Sequence, residues 1–71
     1  MMNWLEEMVG EIITVCRGDR QYTEELREFA SIGFLTRNTQ GSETSWTWQS
    51  INNLYLATQS DRVLCGWEED A

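Results

Sequence analysis

Between residues 4 and 17 the apolar positions Leu5, Met8, Val9, Ile12, Ile13 and Cys16 recur at i, i+3, i+4 and i+7, the repeat of a helix that buries one face. Adding Trp4 and Val15 widens that apolar arc to roughly half the circumference. Glu6, Glu7, Gly10, Glu11, Thr14 and Arg17 fill the remainder. Asn3 followed by Glu6 resembles a capping box and Gly18 is a natural stop, so a first helix is predicted over about residues 4–17. Asp19 serves as the next N-cap, and a second helix runs from about Arg20 to Ser31. It has Tyr22, Leu26, Phe29 and Ala30 inward and Glu24, Glu25 and Glu28 outward. The period then changes to two. Phe34 to Arg37 reads as a short strand after Gly33, residues 38–43 as a polar loop around Gly41, and Thr44 to Trp48 as a return strand with Trp46 and Trp48 on one face, capping the core. Gln49 or Ser50 opens a third helix carrying Ile51, Leu54, Tyr55 and Thr58, to about Gln59. Residues 62–65 are short and β-leaning.

These elements add up to an α+β chain, a small winged-helix-like domain of three helices with a two- or three-stranded antiparallel wing. No repeat, low-complexity tract, linker or proline interrupts it. One domain is expected over residues 1–67, with an acidic tail at 68–71. The tripeptide Arg17-Gly18-Asp19 is explained locally, as a helix stop followed by an N-cap.

The run Ala30-Ser31-Ile32-Gly33-Phe34-Leu35, then Trp46-Thr47-Trp48, then Asn52 and Leu56, resembles the second half of a winged helix. Over residues 26–56 it is similar to small podophage-encoded inhibitors of host RNA polymerase. Gln49 and Asn52 stand where that family commonly has Thr and Gly, and the tail is acidic where the family's is basic. The resemblance implies a phage-type regulator of the host.

Charge changes what such a domain is expected to touch. Twelve Asp and Glu oppose five Arg, with no Lys and no His, for a net charge of −7. Binding a phosphate backbone relies on cations that release counterions, so direct DNA binding is disfavoured and a basic partner is expected. A plainer alternative, acidity that serves only solubility, stands beside it. An apolar content of 41% in 71 residues supports one small core and no more. No window approaches the length of a membrane span and no signal peptide is recognisable, so a cytoplasmic location in the host cell is expected, with Cys16 and Cys65 reduced.

The chemistry of the chain points to binding. Without His, a Ser or Cys nucleophile lacks its usual base. The two Cys lack the close spacing of a zinc site, and the five Gly are scattered instead of forming a phosphate-cradling loop. No catalytic residue, metal or cofactor is therefore assigned, and an enzyme is not expected. The candidate partner-binding residues are Glu24, Glu25 and Glu28 on the second helix, Trp4, Glu7 and Glu11 on the flank of the first, and Trp67 near the end. Aromatic anchors inside a charged rim suit a protein interface. The leading expectation is a small acidic phage or mobile-element protein that binds and inhibits a host machine, RNA polymerase or a transcription factor. An acidic nucleic-acid mimic blocking a host defence complex (CRISPR or restriction) is the alternative, and a winged-helix DNA-binding regulator a further one. The broad face of the first helix suits either a homodimer contact or a covering by the wing.

Overall fold

Ile12, Ile13, Thr14 and Val15 are four consecutive β-branched residues, whose restricted side-chain rotation suits an extended backbone. In the computed structural model, which describes residues 6–69, they open the first strand, β1 (Ile12–Arg17). Ile13 and Val15 are fully buried on one side of it and Thr14 on the other. The chain reverses through Gly18 and Asp19, with Gly18 at φ +62°, a left-handed conformation that glycine adopts freely. It returns antiparallel as β2 (Arg20–Phe29), Arg17 facing Arg20. A second tight turn at Ser31 and Ile32 leads into β3 (Gly33–Arg37). Asn38 then shapes the next loop, its Oδ1 accepting the backbone N–H groups of Gln40 (2.9 Å) and Ser42 (3.0 Å), and β4 follows (Glu43–Thr47).

After β4 a single 3-10 turn, Trp48–Ser50, redirects the chain to β5 (Asn53–Leu56), which pairs antiparallel with β1. The result is a five-stranded antiparallel sheet in the order β4-β3-β2-β1-β5. It curls on itself: the Trp46 ring on β4 lies 5.3 Å from that of Tyr22 on β2, although β3 lies between those strands in the sheet. Ile13, Val15, Leu26, Phe34 and Trp46 fill the concave side, ringed by Met8, Tyr22, Phe29, Trp48, Ile51 and Leu54. Phe34 stands between the two tryptophans, 6.0 Å from Trp46 and 4.9 Å from Trp48.

A short helix, α1 (Gln59–Leu64), follows β5 and is anchored to the convex side of the sheet. Thr58 and Asp61 form its capping box, and the Thr14 hydroxyl donates to Asp61 Oδ2 (3.0 Å). Beyond it the Trp67 indole N–H donates to the Thr23 carbonyl (2.8 Å). That carbonyl needs a partner because β3 pairs with β2 only from Glu25 onward.

The winged-helix expectation is overturned. Residues 6–17 form a 3-10 turn (Glu6–Met8) and β1 in place of a first helix, and residues 20–29 form a strand in place of a second. Residues 49–59, expected as a third helix, hold the end of the 3-10 turn and β5, while α1, the one α-helix among the described residues, takes in residues 62–64 of the segment 62–65 that reads as β-leaning. The spacing that suggested the second helix has a physical cause. Arg27 is an extra residue at a β-bulge, where the pairing jumps from Leu26–Thr36 to Glu28–Leu35. The bulge returns Phe29 to the side that holds Tyr22 and Leu26, so a strand reproduces i, i+4, i+7. The strand pair read at the wing is present as β3 and β4, built into the middle and edge of a larger sheet.

Candidate functional site

The residues expected to bind a partner do not all share one surface. Along β2, Glu24 falls on the concave side, where its carboxylate accepts the Thr36 hydroxyl (2.5 Å). The same hydroxyl oxygen accepts the Trp46 indole N–H (2.8 Å). Glu25 points to the convex side and is held between Arg27 (3.3 Å) and Arg37 (3.2 Å). Glu28, beyond the bulge, is exposed and convex. Glu7 lies exposed in the opening 3-10 turn. Glu11 is exposed too, but its backbone carbonyl accepts the Leu26 N–H (2.9 Å). Trp67 is half-buried, with its N–H engaged by Thr23. Trp4 lies outside the described residues. The dimer face has no helix to carry it, since β1 is an inner strand paired on both sides.

A surface does form around Glu28. On the convex side Glu28 is level with Leu35, Leu35 with Ser45, and Gly33 with Thr47. These residues, with Ile32 at one end, line an open groove of about 290 Å³. A second hollow of about 390 Å³ adjoins it on the far side of Ile32, bounded by Ser31, Thr47, Trp48 and Gln49. Ile32 stands between the two at 76% exposure, on the β2–β3 turn. The turn is held from outside by Trp48, whose backbone N–H donates to the Ile32 carbonyl (3.1 Å) and whose indole N–H donates to the Ala30 carbonyl (3.1 Å). The floor of the groove is backbone, because β3 and β4 approach so closely at Gly33 that a Cβ there would sit 1.8 Å from the Trp46 carbonyl oxygen.

β4 forms the outer edge of the sheet beside this groove, and among the described residues no strand pairs with its free side. An unpaired edge next to an apolar hollow is suited to receiving an extended chain, the edge supplying backbone hydrogen bonds and the hollow taking a side chain. Glu28 in the lining places negative charge at the rim, and Glu43, farther along β4, stands opposite Arg37. Ile32 and Leu35 were not singled out from the sequence as contact residues. The available signal was an isoleucine in a two-residue turn, where Gly, Asn, Asp and Ser are the usual occupants.

On the convex side, Tyr55 of β5 sits level with Thr14 and close to Asp61. Its half-buried phenol is raised above the ordinary value of 10.0 by desolvation and then by the negative charges of Asp61 and Cys16, while a hydrogen bond with Thr14 works the other way. This polar seam ties α1 to the sheet. Among the described residues no three His, Cys, Asp or Glu side chains are grouped to hold a metal ion, and no helix is long and apolar enough to cross a membrane. No protein-family model, curated protein or solved structure matches the chain.

Proposed function

We propose that this chain is a small acidic docking protein that binds a host protein bearing a basic or nucleic-acid-binding surface and inhibits it. An extended apolar segment of the partner is seated beside β4, over the Ile32 groove. The observation that carries this reading is the placement of Ile32, an isoleucine left 76% exposed between two hollows and next to a free sheet edge. An apolar side chain exposed beside an apolar hollow and a free strand edge suits the docking of an extended chain, and Glu28 favours an Arg or Lys flanking the inserted side chain. RNA polymerase and transcription factors are the first partners to assay. The nucleic-acid mimic is less well supported, because a mimic needs its carboxylates arrayed along one surface. Here Glu24 faces the core and Glu25 is neutralised by two arginines.

Capture from host lysate tests the proposal. The wild-type chain and a Leu64→Asp control, altered at an exposed site on α1, should retain the same dominant protein. Ile32→Asp should lower retention by about tenfold or more, as expected for losing an interface anchor. Equal retention by Ile32→Asp, or no specific protein retained by the wild type, sinks the reading.

A further inference from the structure

Of the five arginines, Arg27, Arg37 and Arg62 have carboxylate partners among the described residues. Arg17 is held differently. Its guanidinium carbon lies 5.1 Å from the centre of the Trp46 ring and 5.5 Å from that of Tyr22, and these two rings are themselves 5.3 Å apart. In a chain with twelve carboxylates, this cation rests on aromatic faces. Cations within about 6 Å of a ring centre are attracted by the negative face of the π system, most strongly by Trp.

The surroundings favour a cation there. The Trp46 indole N–H donates to the Thr36 hydroxyl, which donates to the Glu24 carboxylate, a relay that draws electron density toward the ring and ends in a negative charge off its N–H edge. Arg17 itself is exposed, at the end of β1 beside the Gly18-Asp19 turn, so its side chain can swing into water. The aromatic pair belongs to the scaffold, whereas the cation on it is tethered at a hairpin tip.

The geometry points to a guanidinium-binding site formed by Tyr22 and Trp46, occupied in the free protein by Arg17 and taking an arginine side chain of the partner in its place. Glu24 and Thr36 are positioning residues, acting through the indole. This deepens the proposal of a basic partner, on which its biological meaning rests, by naming arginine as the group recognised. Arg17 acts as an internal competitor, so a lone arginine binds the wild type poorly and an arginine within a docked segment binds well.

The test uses acetyl-arginine-methylamide as the probe and two-dimensional amide NMR of the whole chain, read at the Trp46 indole N–H. Arg17→Ala and Arg17→Gln should bind the probe at least tenfold more tightly than the wild type, and Arg17→Ala combined with Tyr22→Leu should lose that gain. The acetyl-lysine analogue should bind more weakly than the arginine probe. In the wild type, an arginine-rich peptide should return the ring-shifted Arg17 Nε–H signal to its free position. No gain in either Arg17 variant, or probe shifts confined to Glu6, Glu7 and Glu11, overturns the site. Unfolding of both variants overturns it equally, because Arg17 would then be part of the core and not a displaceable occupant. The probe is read at the Trp46 ring on the concave side and the capture at Ile32 on the turn, so failure here leaves the capture result standing.

Discussion

Gly33 decides more than its size suggests. A Cβ at this position would meet the Trp46 carbonyl oxygen at 1.8 Å and its carbonyl carbon at 2.9 Å, both backbone atoms that cannot move without breaking the β3–β4 pairing. Gly33→Ala is therefore expected to destabilise the fold by about 2–3 kcal/mol, in the range of other overpacked sites, and urea denaturation of the purified variant measures it. An unchanged midpoint would show that the two strands can separate there at little cost. The sequence marks Gly33 only as the residue before a short strand, because the clash lies with a residue thirteen positions away. Tyr55 gives a second prediction at this scale. Its phenol is raised in the folded state, so above the ordinary value the folded chain retains a proton that the unfolded chain has lost. The stability tied to this proton is complete below about pH 10 and is lost as pH rises through the folded value. Tyr55→Phe should flatten the alkaline fall in stability, visible when denaturation is compared at about pH 9 and about pH 11. An identical fall in both proteins would remove Tyr55 as its source.

At the scale of elements, α1 shows how a short helix is kept. Six residues are too few to be helical alone, and Leu64 remains 83% exposed, so apolar burial is not its main anchor. The Thr58–Asp61 capping box, the Thr14–Asp61 bond and the Trp67–Thr23 bond hold it instead. Trp67→Phe keeps a ring and removes the donor, leaving the Thr23 carbonyl to find water, and should cost about 1 kcal/mol. Hydrogen exchange should then show residues 59–69 opening ahead of the sheet. If neither the midpoint nor the exchange of this segment changes, the indole bond contributes nothing to its anchoring. The elements themselves were legible only where local pattern and tertiary environment agreed. The strands at β3 and β4, the loop around Gly41, and Trp46 as a core residue all follow from alternation and turn chemistry, whereas Trp48 leaves the strand for a 3-10 turn and packs against the core from its rim. β2 was hidden by its bulge, and β1 by apolar positions on both of its sides.

For the whole molecule, a net charge of −7 raises the local concentration of basic partners and speeds their encounter, an effect that salt weakens. Capture by the Ile32 groove should accordingly fall as ionic strength rises, and Glu28→Gln should make it less salt-sensitive. The three glutamates of β2 do not make one acidic face. Their distribution follows from the sheet, which sends Glu24 to the core, places Glu25 between Arg27 and Arg37, and leaves Glu28 at the rim of the groove. The candidate site was thus legible in its charge and in Glu28, but not in Ile32 or Leu35.

The sequence by itself determined composition, charge, the loop around Gly41 and the two-residue period of β3 and β4, because these depend on residues close together in the chain. Tertiary structure decided the rest. Tyr22, Leu26 and Phe29 have the spacing of a helix, and Ile13, Val15 and Leu54 equally suit helices. Only pairing β1 with both β2 and β5 satisfies the strand backbones while gathering these side chains on one concave surface. That contest is settled by strand partners, as far apart as Ile12 and Glu25 in β1–β2 and Ile13 and Leu56 in β1–β5, which local periodicity does not record.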